Sequence, residues 1–346
     1  MRKVILFFCL LSGSYFIVAQ SNDDFLSNEK SLDYDTSKIQ IHSDKLGIYA
    51  YSIRKFRTYE FKNKEVDKRL KFEPNGQTNL GLGFNYKWMG LGIAVGLPFM
   101  NKDNDIYGET SRFDLQLNLF SRFFGVSAYY QNYQGFYLSN PDDFYTWDNK
   151  SPYPLLSDLQ SASIGASAFY FFNNKKFSYK AAFVRNEVQR RSAGGFVLGG
   201  YFDLDVVTTR SGFIPEELPD SLENIFDFNG YSTYIAGVSF GYAYTLVFLK
   251  RTFINLSLVP GIGYRNLSIW YITSITETKP SFSGSINSRV SIGYEGKRLY
   301  LGLLGIVNAE SFKYESVDIS SNTGQIRFYI GKRFNVGKKN RPITLD

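Results

Sequence analysis

The chain has 346 residues, with 39 Lys and Arg against 32 Asp and Glu; it holds 32 Phe, 30 Gly and 26 Tyr but one His, one Cys and three Met. An apolar content of 44% is too high for a disordered chain, and a charge of +7 without an arginine-rich tract gives no reason to expect a nucleic-acid partner. The lone histidine, His42, argues against a Ser-His-Asp, Cys-His or multi-His metal centre, and Cys9 lies in the leader, so neither a metal nor a cofactor is expected.

Residues 1–19 read as a signal peptide. Met1-Arg2-Lys3 is a short positive start, Val4 to Val18 is mostly apolar, and Ala19-Gln20 offers a cleavage point after a small residue. The apolar run is too short for a membrane span. Its removal takes Arg2 and Lys3 and leaves a charge of about +5. Residues 20–45 are polar and acidic, with Asn22-Asp23-Asp24 and Asp33-Tyr34-Asp35, and are expected to form a mobile N-terminal segment in the periplasm. Residues 335–346, with Lys338, Lys339 and Arg341, are expected to be a short basic periplasmic tail.

Residues 46–334 alternate with period 2, the signature of strands with one apolar and one polar face. Leu80, Leu82, Phe84, Tyr86 and Trp88 alternate with Gly81, Gly83, Asn85 and Lys87; after Met89-Gly90, Leu91, Ile93, Val95 and Leu97 alternate with small residues. Similar runs surround Phe113, Ile164, Val238, Leu256, Val290 and Phe328. These runs reach or exceed the ~9–11 residues that a tilted strand needs to cross a bilayer, and aromatics gather near their ends. A soluble β-sandwich would have shorter strands and a charged exterior. The pattern predicts an all-β, antiparallel, up-and-down transmembrane barrel in the outer membrane.

Short breaks alternate with long polar stretches, as expected of periplasmic turns and external loops. Twelve crossings are predicted, at 46–60, 78–88, 91–99, 110–122, 125–137, 160–172, 177–188, 231–248, 252–269, 284–295, 298–310 and 323–334. The external loops then include 138–159, 187–230 and 311–322. Residues 192–206 are also strand-like; they are read as an external or inward-folded hairpin, with a 14-strand barrel as the alternative.

Several segments carry a family resemblance: Phe72-Glu73-Pro74-Asn75, Gly81 to Trp88, Tyr107-Gly108-Glu109-Thr110 with Phe113 to Gln116, Gln134 to Leu138, and Arg191 to Phe196. Together they resemble an uncharacterised family of outer-membrane β-barrels from Bacteroidota, a domain of unknown function. The resemblance covers most of the chain after residue 19. It implies fold and location and brings no catalytic residues.

Lys87, Asp114, Lys180, Arg289, Glu295, Arg327 and Arg333 fall on the polar faces of their strands and are the candidate lumen charges. They form either a structural ion-pair network or a charged constriction. Asp142, Asp143, Phe144, Tyr145 and Trp147 are candidate ligand contacts in an external loop, where aromatics with acids suit a sugar or peptide. Asp203 and Asp205 are further acids in an expected external loop. The expected function is a non-enzymatic, porin-like barrel passing small polar solutes. The alternative is a non-conducting structural or accessory barrel of an envelope or secretion complex; an enzyme at the outer leaflet ranks third. Outer-membrane lipid is the expected surrounding partner.

Overall fold

The computed structural model describes residues 15–18, 34–42, 44–86, 89–97, 102–148, 151–218, 226–271, 273–278 and 280–336. Twelve long strands build a wall: β1 (Lys45–Asn63), β2 (Thr78–Tyr86), β3 (Met89–Gly96), β4 (Ser111–Phe120), β5 (Phe124–Leu138), β6 (Leu155–Phe171), β7 (Ala193–Thr208), β8 (Gly230–Phe248), β9 (Thr252–Trp270), β10 (Ser281–Glu295), β11 (Leu299–Tyr314) and β12 (Val317–Asn335). Consecutive strands pair antiparallel, and Lys45 of β1 lies opposite Asn335 of β12, which closes the sheet into a barrel. At one place the succession is interrupted. Tyr15–Val18 lies between β3 and β4, antiparallel to the first and parallel to the second. Among the described residues no helix is long and apolar enough to cross a membrane.

The period-2 pattern of the sequence sorts side chains between the two faces of this wall. On β8, Tyr234, Val238, Phe240, Tyr242, Tyr244 and Leu246 point outward and are 41–63% exposed, while Ile235, Ala243 and Thr245 are buried inside. Leu256, Leu258 and Ile262 on β9 and Ile326, Phe328 and Ile330 on β12 continue the apolar exterior. An exterior of this size has a favourable environment only in lipid. Closure pairs the strands with their neighbours and leaves few backbone groups open to hydrocarbon; β3 and β4 are joined only through Tyr15–Val18.

Both termini of the barrel and the short connections 121–123, 249–251 and 296–298 lie at one end, called the inner end below. The opposite, outer end carries the longer excursions: β1 hairpins back through Lys68–Glu73, and the described residues 139–148, 151–154, 209–218 and 226–229 fold over the mouth. Gly135 (φ +88°) allows a bulge between Gln134 and Phe136 in β5; a Cβ there would sit 2.3 Å from the Glu109 carbonyl oxygen.

Three sequence expectations need correction. Residues 177–188 do not cross. Ser178 accepts a hydrogen bond from the Ala181 amide (3.1 Å) and caps a short helix, Tyr179–Phe183, inside the inner mouth. Phe177, Tyr179 and Ala181, which mimic a lipid-facing stripe, are buried there instead. The crossing is made by residues 193–208, whose glycines let neighbouring rings lie flat; a Cβ at Gly199 would be 2.7 Å from the Phe169 ring. The count of twelve therefore stands with one member exchanged. Finally, β11 and β12 run on to a tight turn at Glu315-Ser316, where 311–322 was expected to be a loop.

Leu258→Arg places a cation on the lipid face of β9 and is expected to destabilise the barrel by roughly 2–4 kcal/mol near mid-membrane. Denaturant titration in lipid vesicles, read by tryptophan fluorescence, measures this.

Candidate functional site: the barrel lumen

The lumen is filled at both ends. At the outer end Phe61, fully buried, packs its ring 4.6 Å from Phe213 and 5.6 Å from Phe228, with Phe72 and Tyr231 around them. Leu70, Leu138, Leu159 and Ile269 complete this apolar stopper. At the inner end, residues 172–192 turn into the barrel. Tyr179 stacks on Phe171 (4.2 Å between centroids), and Ile39–Ile41 pairs antiparallel with Glu187–Gln189 to form a small sheet across the mouth.

Ion pairs hold this inner plug to the wall. Arg333 donates to Glu295 (2.6 Å) and to the Arg185 carbonyl (2.9 Å); Arg185 reaches Glu295 (3.5 Å) and Ser291 (2.8 Å). Arg122 pairs with Glu187 at 3.4 Å and lies over the Tyr34 ring. The stretch 34–42 is thus docked, whereas the sequence alone suggested a mobile segment. His42 donates its amide to the Asn186 carbonyl (2.8 Å) and is buried. Burial, followed by the nearby Arg333 charge, pushes its imidazole down to about 4. Lys45 and Arg190 push the same way and Asp44 opposes them.

Between the plugs a polar girdle crosses the lumen. Asp205 of β7 is its hub. It accepts from Arg57 (2.7 Å), Ser163 (2.6 Å), Tyr59 (3.1 Å) and Tyr231 (3.0 Å). Arg57 also donates to Gln131 (2.9 Å), which donates to Asp114 (2.8 Å), and Asp114 binds Lys55 (2.7 Å) and Tyr133 (2.8 Å). One connected network thereby ties together β1, β4, β5, β6, β7 and β8. The coupled charges meet the requirement that a buried ion be paired and hydrogen-bonded.

A cavity of about 130 Å³ adjoins this girdle, with Asp203, Tyr129, Arg289, Asn287 and Glu310 in its lining. It is large enough to hold several waters. A smaller one, about 60 Å³, continues to the plug at Val184 and Arg185. Asn118, Arg289, Ile306 and Gln325 line both. Tyr129 donates its hydroxyl proton to Asp203. Glu310 faces Arg265 at 3.7 Å, and the Arg265 guanidinium lies over the Phe312 ring.

Of the lumen charges read from sequence, Asp114 joins the girdle, while Glu295 and Arg333 fasten the plug. Arg289 lines the cavities, and Arg327 lies over Tyr51 (5.1 Å) beside the smaller one. Lys180 is buried on the plug helix and not on a strand. Lys87 lies outside the described residues. In the outer loop, Asp142 is exposed, and Asp143 is tied to Asn140 (2.7 Å) and Arg69 (3.4 Å). Phe144 and Tyr145 pack on the apolar stopper, and Trp147 packs on Tyr153. The loop aromatics are therefore used in covering the mouth. Asp203 and Asp205 move from an expected external loop to the lumen face of β7. Arg57 and Glu310 escaped the sequence reading. For Asp203 and Asp205 the signal of a lumen face was present in their two-residue spacing, which alternates with Phe202 and Leu204.

Residues 33–334 match the model of DUF4421, a domain of unknown function. No curated protein matches the chain. Among solved structures, the outer membrane protease OmpT from Escherichia coli is similar at 10% identity, with 87% of this chain and 100% of that one covered and a TM-score of 0.39. The translocator domain of the autotransporter NalP from Neisseria meningitidis follows at 7% identity, covering 90% of this chain and 94% of that one, with a TM-score of 0.33. The attachment invasion locus protein Ail of Yersinia pestis has 10% identity, 83% and 99% coverage and a TM-score of 0.19.

Asp205→Asn leaves the buried Arg57 without its counter-charge and is expected to cost roughly 3 kcal/mol or more in urea unfolding, whereas Asp142→Asn in the outer loop changes stability by less than about 0.5 kcal/mol. Docking of the 34–42 stretch should also depend on pH. His42 is neutral when docked, and its undocked form takes up a proton below about 6.5. Docking is therefore full above that value, weakens as pH falls towards about 4 and then levels off. Hydrogen exchange at the Ile39–Ile41 amides, corrected for intrinsic rates, measures this; His42→Gln should remove the dependence.

Proposed function

This chain belongs to the DUF4421 family, a domain of unknown function, and on that premise we propose that it is a plugged outer-membrane barrel acting as a non-enzymatic structural or accessory component of the envelope. The observation that carries this reading is the occupied lumen: an apolar stopper at the outer end, an ion-paired plug at the inner end, and a cross-linked polar girdle between them. A barrel serving as an open pore would have no use for twenty buried apolar side chains in its outer mouth. Its only histidine sits in the inner plug, remote from the outer leaflet where a lipid or glycan substrate would arrive.

In this reading the chain is exported with removal of residues 1–19, after which β3 and β4 become direct neighbours. The resemblance to a Bacteroidota family supports an envelope with an outer membrane. The docked stretch 34–42 emerges at the periplasmic mouth, a position from which an envelope protein complex can be engaged. A second reading, a transport barrel for small polar solutes, is favoured by the polar cavity; it requires the plug to move.

The test is single-channel recording from the exported protein in a planar bilayer. Intact mass establishes that it starts at Gln20, and heat-modifiable mobility establishes that it is folded. Silence under these conditions is expected. Stable, reproducible conductance steps from the intact chain would overturn the plugged reading in favour of the transport one.

A further inference from the structure

Charge accounting within the larger cavity leaves two groups over. Arg57 is neutralised by Asp205 at 2.7 Å, and Glu310 has Arg265 at 3.7 Å. Arg289 and Asp203 line the same space, and neither forms an ion pair with any described residue. The Asp203 carboxylate is held by the Tyr129 hydroxyl alone. The Tyr129 ring and the Asp203 carboxylate both lie against Gly165, where a Cβ would come 2.5 Å from the carboxylate, so the wall there is shaped to seat this pair.

Arg289 is 4% exposed. Its Nε donates to Asn287 (3.2 Å), which leaves its terminal nitrogens for another acceptor. The rings of Phe120, Phe169, Tyr179 and Phe183 stand 5.6–5.9 Å from its guanidinium, so that its surroundings are largely apolar. Gln325 lines both cavities beside it, is 3% exposed, and its side-chain oxygen has no hydrogen-bond partner. A buried guanidinium without a counter-charge is costly. So is a carboxylate with one hydrogen bond in the same enclosure.

From this we infer that the lumen cavity is a binding site for a small zwitterion bearing one carboxylate and one ammonium group, of the amino-acid class. The ligand carboxylate pairs with the fork of Arg289, and its ammonium group pairs with Asp203 and donates a further hydrogen bond to the free side-chain oxygen of Gln325. A planar fork and a carboxylate are matched to those two charges. A simple anion would satisfy Arg289 and leave Asp203 as it is; a simple cation would do the reverse. The site does not depend on whether the barrel conducts.

The experiment refolds the exported protein, purified from outer membranes, with and without glycine, β-alanine or γ-aminobutyrate, which differ in charge separation. Acetate and methylammonium are the single-charge controls. Refolding in the presence of the probe removes any question of access past the plugs. Equilibrium dialysis with labelled probe measures occupancy. At least one zwitterion is expected to bind saturably at one per chain, and more tightly than either control. Arg289→Gln and Asp203→Asn should each weaken it by about thirtyfold or more. Asp203→Asn should leave acetate binding as in the parent. Absence of saturable binding by all three zwitterions overturns the inference, as does unchanged binding in both variants. If Arg289→Gln does not fold, Asp203→Asn decides alone. Loss of zwitterion binding with acetate binding retained supports the site, and retained zwitterion binding overturns it.

Discussion

The ion pair between Arg57 and Asp205 holds the interior of this barrel together. Each residue comes from a different part of the wall, and each is nearly inaccessible to solvent. Two charges at this depth are tolerable only because the rest of the girdle is built around them. Three hydroxyl groups complete the shell of Asp205, and Gln131 passes the connection from Arg57 to Asp114 and Lys55. Hydrogen bonds inside such a network strengthen one another, and any member left unsatisfied is penalised heavily. A barrel wall resists opening through its closed backbone ladder, but it can still flatten or shear. A cross-lumen network of polar contacts opposes those distortions from within.

The plugs follow from the same constraint. With a girdle at mid-height, the space above it is filled by aromatic rings from outer excursions, and the space below by a loop that enters from the inner rim. The inner plug is fastened to the wall by Glu295, which receives Arg333 and Arg185 from two directions. Docking of 34–42 adds a strand pair and the Arg122 contacts to this base. An apolar stopper outside and an ion-paired plug inside have different sensitivities. The first depends on packing, which hardly responds to pH or salt. The second rests on charges and on a histidine kept neutral by burial.

Legibility in the sequence followed the physics of each element. The wall was legible because the bilayer imposes alternation on every lipid-facing strand, as in Leu256, Leu258 and Ile262 opposite Ser257 and Gly261. Residues 177–188 misled because alternate apolar side chains serve a plug packed in a lumen as well as a strand in lipid. Periodicity reports which side chains leave water and is silent on whether lipid or protein receives them. Residues 193–208 were legible as strand but not as a crossing, because their glycines lower the apolar signal while allowing Phe169 and Tyr242 to approach. Asp114, Glu295 and Arg333 were legible as inward-facing charges, because a polar residue at the wrong phase for lipid must face the lumen. Their partners were not, since contacts between residues 57 and 205 or 185 and 295 depend on the curvature of the closed barrel.

The sequence by itself determined the all-β architecture, the inward or outward sense of most side chains and the membrane environment. These are local consequences of strand periodicity and of transfer energies that apply residue by residue. Only the tertiary structure decided that the lumen is stoppered at both ends, that Asp203 and Asp205 lie within it, and that Arg289 faces a cavity without a counter-charge. Those properties arise when distant strands are brought round into one ring. The energy of a buried charge depends on what stands across the lumen from it, and no local pattern along the chain records that.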